Sequence, residues 1–304
     1  MLAAFVPVWV LTGLGWLLGR RRLLGPDAER VLGGFVFHLA MPAALFSTLS
    51  RTPLAVHPRA LGAFAVSTAV TMAAGFAVGA AARRSTGEST IAAMAAGYVN
   101  SANLGIPVAL QVLGDAAFLT EVLLFQVLVV TPVILTALDR AAGRPLRPGR
   151  LLTLPLRNPV IAGPALGALC SGLGWRPPEV VAGPLALLGA AAVPTALVAL
   201  GLSLTGSRPA TDDPSPTRGR GAVAGLSGLK LLAQPLLAWS VGSLAGVRPP
   251  VLLALVVCAA LPTAQNTYIF AREYGRGAAV ARETVIVTTA LSMVTLAVVG
   301  ALLG

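Results

Sequence analysis

The chain is a succession of apolar runs, each about as long as a lipid bilayer is thick. A transmembrane helix needs about 20 predominantly apolar residues, and runs of that kind fall at 3–19, 31–50, 60–82, 89–113, 119–138, 158–174, 180–204, 221–246, 250–272 and 280–303. Backbone in hydrocarbon must satisfy its own hydrogen bonds, so such runs become helices. The sequence therefore predicts an all-α polytopic membrane protein with ten transmembrane helices.

Composition agrees. Only 11% of the 304 residues are charged and 56% are hydrophobic, whereas soluble domains carry about 25% charge. The 33 Gly and 23 Pro are tolerable inside membrane helices, where neighbours re-satisfy freed backbone groups. The net charge of +11 does not indicate a nucleic-acid partner, because the arginines sit in short gaps between apolar runs and make no basic domain. Lys and Arg are retained on the cytoplasmic side. Loops after even-numbered spans hold only Arg51, Arg59, Arg176 and Arg248, and the other arginines follow odd-numbered spans. That asymmetry puts both termini outside. At the N-terminus the apolar stretch precedes Arg20, Arg21 and Arg22. A signal peptide has the opposite order, so this segment reads as a retained first span.

The chain repeats itself. Pro7, Gly15, Pro26, Asp27, Pro42, Ala44 and Leu45 recur 152 residues later as Pro159, Gly167, Pro178, Glu179, Pro194, Ala196 and Leu197. Asn103 and Asn266 are 163 apart, the excess fitting a longer hydrophilic linker at 205–220. Five spans per copy is an odd number, so the second copy enters the membrane upside down. The expected domains are a five-helix repeat over 1–138, a cytoplasmic connecting loop at 139–157 and an inverted five-helix repeat over 158–304. Inverted repeats with a midplane site are the architecture of many secondary transporters.

Two spans are interrupted by polar residues. Helix 4 carries Asn100, Ser101, Asn103, Gly105 and Pro107 within eight residues, and helix 9 carries Pro262, Thr263, Gln265 and Asn266. Pro107 lacks an amide donor and crowds the carbonyl at 103, while Gly105 relaxes the backbone nearby. Unwound backbone at mid-depth is tolerated only where it is buried in protein or lines a wet cavity. Each break also creates a half-helix N-terminus, a place for an anion. Crossing broken helices 4 and 9 are therefore the expected substrate site. Thr90 and Thr288 are read as lying off that crossing.

At these residues the chain resembles the auxin efflux carrier (PIN-like) family, including its bacterial malate/malonate permease-like members. The matching segments are NSANLGIPVALQVLGDAA at 100–117, NPVIAGPALGALCSGLGWRPP at 158–178, LPTAQNTYIFAREYG at 261–275 and LAMPAALF at 39–46. The resemblance implies a fold like that of bile acid/sodium symporters. It further implies a scaffold of helices 1, 2, 6 and 7 that forms homodimers, and a transport domain of helices 3–5 and 8–10 moving as an elevator. Asn103 and Pro107 would fall to the helix 4 crossing, and Pro262 and Asn266 to that of helix 9. It implies a small organic anion as substrate, such as an auxin-like acid, malate or malonate, carried across the plasma membrane. A cation-coupled symporter is the alternative. The loop between the halves is short, unlike that of many plant members, and helix 4 has no proline in register with Pro262.

Other polar residues add detail. Lys230, the only lysine, lies inside helix 8. A charge there marks function by default: it could attract an anion, brace the crossover, or snorkel to headgroups. His38 reads as a packed or hydrogen-bonded neutral histidine, and Cys170 and Cys258 as buried small hydrophobes. Every Asp and Glu falls near a span end, which argues against a carboxylate proton relay. No set of mid-span nucleophile, base or metal ligands suggests an intramembrane enzyme, and nothing implies a cofactor. A channel or sensor is the remaining rival.

Overall fold

The computed structural model describes residues 2–50, 56–143, 159–203, 205 and 216–303. Most of the connecting segment, 144–157, and of the linker, 206–215, lie outside the described residues. Helices form where the apolar runs predict them: α1 (Leu2–Arg20), α2 (28–49), α3 (Pro58–Ala81), α4a (Thr86–Gly97), α4b (101–113), α5 (117–141), α6 (Pro159–Gly172), α7 (179–203), α8 (216–244), α9a (Pro249–Ala260), α9b (Asn266–Glu273) and α10 (Ala278–Leu303). Among the described residues six helical segments are long and apolar enough to cross a membrane. The protein is thus a helical membrane protein.

The chain divides into two compact units. The first comprises Met1–Val56, Ala102–Leu124 and Leu152–Ser207; the second comprises His57–Ser101, Phe125–Leu151 and Arg208–Gly304. Helices 1, 2, 6 and 7 fall together in the first. Helices 3, 8, 9 and 10 fall in the second, and helices 4 and 5 are divided between the units.

In the first unit α1 packs on α7 and α6 on α2. A Cβ at Gly15 would collide with the Val198 carbonyl, and one at Gly167 would lie 2.6 Å from the Phe46 carbonyl oxygen. Gly167 is Gly15 displaced by 152, and Val198 is Phe46 displaced by 152. One contact is therefore made twice, with the partners exchanged between the halves. Small residues are needed because apolar burial does not drive helices together in lipid, and close backbone approach does.

In the second unit α3 and α4a form a tight hairpin in which Gly75 and Gly79 face Ala92, Ala96 and Ser89. The turn between them is fixed by a capping box: Ser85 Oγ accepts from the Glu88 amide, and the Glu88 carboxylate accepts from the Ser85 amide. Burial pushes the Glu88 carboxyl up, but hydrogen bonds from Ser85 and the Arg84 guanidinium at 3.2 Å outweigh it and hold the group below the ordinary range.

Among the described residues five π-turns occur; one, at Ala109–Leu113, ends α4b at Gly114, and the other four lie at Val36–Ala40, Ser101–Gly105, Gln126–Val130 and Leu229–Ala233. Each of these four ends two residues before a proline, respectively Pro42, Pro107, Pro132 and Pro235. A proline ring crowds the carbonyl four residues back. The wide turn moves that carbonyl aside, so the helix continues through the proline instead of breaking.

Candidate functional site

That device changes where helix 4 opens. The sequence places the break within Asn100–Pro107 and takes Gly105 and Pro107 as its cause, yet Gly105 has ordinary helical geometry (φ −60°, ψ −46°) and 101–113 is helical throughout. The chain opens upstream instead, at Tyr98–Asn100, because the π-turn at Ser101–Gly105 already accommodates Pro107. In helix 9 the opening lies where the sequence put it, after Ala260 and before Asn266.

The two openings cross as a two-residue antiparallel bridge, Val99 opposite Thr263. The Asn100 amide donates to the Pro262 carbonyl at 2.8 Å, and the Ala264 amide donates to the Tyr98 carbonyl at 3.0 Å. These bonds flank the pair, as at a non-hydrogen-bonded position of an antiparallel ladder.

A half-helix ending in a buried place leaves its last carbonyls without intrahelical donors, and each unpaired one is costly. Here side chains from other helices supply the donors. Thr263 Oγ1 donates to the Ala95 carbonyl at 2.6 Å, and Gln234 Nε2 to the Gly97 carbonyl at 3.1 Å. Gln126 Nε2 donates to the Val99 carbonyl at 3.1 Å while its Oε1 accepts from Ser101 Oγ at 2.7 Å. Lys230 Nζ donates to the Ala259 carbonyl at 2.8 Å and to Gln234 Oε1 at 2.5 Å. The Thr263 amide donates to Thr288 Oγ1 at 3.2 Å. Thr288 thus belongs to the crossover, contrary to the expectation that it lies off it. Among the described residues Thr90 Oγ1 bonds the Thr86 carbonyl, one turn back.

Of the residues singled out from sequence, Asn100, Ser101, Pro262, Thr263, Gln265, Asn266 and Lys230 all fall in the second unit. Asn100, Ser101, Pro262 and Thr263 are buried in the crossing, Gln265 is half-buried and Asn266 is exposed. Asn266 opens α9b, and its carboxamide hydrogen-bonds the Tyr98 hydroxyl, which also bonds Thr131 Oγ1 at 2.8 Å. The second half of one broken helix is thereby tied to the opening of the other. Asn103 and Pro107 belong to the first unit; Pro107 is buried, and the Asn103 side chain lies outside the described residues. Lys230 is 0% exposed, so it does not snorkel. His38 is exposed, its Nδ1 2.9 Å from the Gly34 carbonyl oxygen. Among the described residues no group of His, Cys, Asp or Glu is arranged to hold a metal.

Sequence reasoning passed over Tyr98, Gln126 and Gln234. Gln126 and Gln234 carry a signal in hindsight: each is a lone carboxamide inside an apolar run, in LLFQVLVV and LLAQPLLA. Gln234 is also four residues from Lys230, on the same helix face.

The chain is similar to known proteins over its full breadth. A family model described as "Membrane transport protein" matches residues 1–145 and 149–299. A protein of Rhizobium meliloti (strain 1021) described as "Putative malonate transporter" is 30% identical over 303 residues, covering 95% of this chain and 92% of that protein.

Proposed function

The chain belongs to the membrane transport protein family, the auxin efflux carrier family of its sequence motifs, and on that premise we propose that it carries a small carboxylate anion across the plasma membrane. The observation that supports this most is the crossover: an exposed carboxamide, Asn266, at the start of α9b beside two mutually bonded openings. Free amides and carboxamides near a half-helix N-terminus favour an anion. Malonate is the first substrate to test, because the relative's description names it. Auxin-like acids and malate share the carboxylate.

The proposed binding set is Asn100, Ser101, Pro262, Thr263, Gln265 and Asn266, to which the family resemblance adds Asn103 and Pro107. Lys230 serves this site from behind, as a brace. The proposed mechanism is elevator-type alternating access in two inverted five-helix repeats, with homodimers formed through helices 1, 2, 6 and 7 and both termini outside.

Two measurements test the reading. Purified protein should gain thermal stability with malonate or another carboxylate, and vesicles containing it should show saturable, competable uptake. Non-saturating flux would instead indicate a channel. Single cysteines at 145 and 214, in a chain lacking Cys170 and Cys258, should label only after permeabilisation. Labelling of both from outside would overturn the inverted topology.

A further inference from the structure

We propose that Lys230 is a fixed positive charge carried with the crossover, so that a monovalent anion crosses as a neutral pair and the membrane potential acts on the return of the empty carrier. This rests on the alternating-access reading above and extends it to the electrical cycle.

Three observations carry it. Lys230 is the only charged side chain in the buried set of the described residues, so no buried carboxylate cancels it there. Its amine is bound on the structural side of the site, to the Ala259 carbonyl in the last turn of α9a and to Gln234, which in turn holds the last carbonyl of α4a. The charge is thus fastened to both half-helix ends and must move whenever the crossover moves. The environment also suits an ammonium: it offers three donors and needs no acceptor, and its two partners are acceptor oxygens. The C-terminal ends of two half-helices add partial negative charge. A buried charge with no counter-ion is costly unless its surroundings compensate, and two helix ends with a carboxamide between them are such surroundings.

The consequence is arithmetic. The empty site carries one positive charge, the site loaded with a monoanion carries none, and the site loaded with a dianion carries one negative charge. A potential of 100 mV across the whole field biases a unit charge by about 50-fold. In export driven by an interior-negative potential, the monoanion step is then indifferent to voltage, and the inward return of the empty, positive carrier is the accelerated step.

The test needs no substrate in its first arm. With no organic anion on either side, voltage steps applied to membranes containing the protein should produce a saturable transient charge movement approaching one elementary charge per carrier. Lys230→Arg should keep it, and Lys230→Met and Lys230→Gln should abolish it. A transported monovalent carboxylate, saturating on both sides, should abolish it, whereas saturating malonate, a dianion at pH 7.5, should leave a movement of the same electrical sign in which the carrier itself travels the opposite way. No movement in wild-type protein that transports malonate, or an undiminished movement in a folded Lys230→Met or Lys230→Gln protein, would overturn the proposal. Should both neutral variants fail to fold, the wild type still decides: a transported monovalent carboxylate that at saturation leaves the movement undiminished excludes a single fixed charge. Absence of any carboxylate uptake, with the Lys230-dependent movement intact, would instead sink the substrate assignment alone.

Discussion

Gln234 Nε2 donates to the carbonyl oxygen of Gly97 at 3.1 Å, across 137 residues of chain. That bond closes the end of α4a from α8, and through Lys230 the same carboxamide is joined to the end of α9a. Besides the bonds the two broken helices make with each other, the crossover is therefore held by groups outside both. Their loss should be felt as instability before it is felt as altered recognition.

Gln126→Leu and Gln234→Leu should each lower stability by about 1–3 kcal/mol, the cost of a buried polar group left without its partner. Melting temperature in detergent, compared with an exposed control such as Leu236→Ala, checks this. Unchanged melting in both variants would mean that other donors replace them.

Asn266→Ala should act differently. A hydrogen bond to a charged group is worth about 1.5–3 kcal/mol, so malonate affinity should fall roughly ten- to a hundredfold while the protein still folds. Asn103→Ala is expected to do the same, and Thr90→Ala to do little. Affinity and apo melting temperature measured on the same preparations separate the cases: full affinity with lowered melting would reassign the asparagines to helix packing.

Gly15→Leu and Gly167→Leu should destabilise by similar amounts, about 1–3 kcal/mol or more, because each forces a side chain into the facing helix backbone. Gly33 has open space where its Cβ would lie. Gly33→Ala should be neutral or stabilising, by up to about 1 kcal/mol. The comparison of the two glycines tests whether the repeated contact is repeated in energy.

Glu88 gives a pH signature. Its carboxyl is held below the ordinary range in the folded protein, so the unfolded chain takes up a proton first as pH falls. The resulting stabilisation is complete above the unfolded value of roughly 4.3 and is lost as pH drops through the folded value. The melting difference between wild type and Glu88→Gln should therefore be present at neutral pH and shrink towards pH 3. A gap that widens on acidification would contradict the capping-box assignment.

Much of the architecture was legible in the sequence because it depends on local quantities. Run length set the helices: the run at 60–82 became Pro58–Ala81, and the one at 280–303 became Ala278–Leu303. The polar interruptions near 100 and 262 marked the openings, since a broken apolar pattern is itself a local feature. The 152-residue offset predicted that Gly15 and Gly167 are equivalent before any contact was visible.

What the tertiary structure decided is where each freed backbone group finds its partner. Pro107 was read as the breaker of helix 4, but a π-turn absorbs it and the opening moves to Tyr98–Asn100. Lys230 was open between headgroups, anion and brace; only the positions of Ala259 and Gln234 show which oxygens it meets. Thr288 was set aside, yet it accepts the amide of Thr263. Hydropathy records the cost of burying a polar group at each position, and that is a property of the residue and its neighbours in sequence. The partner that removes the cost comes from another helix, and its identity exists only once the helices are packed.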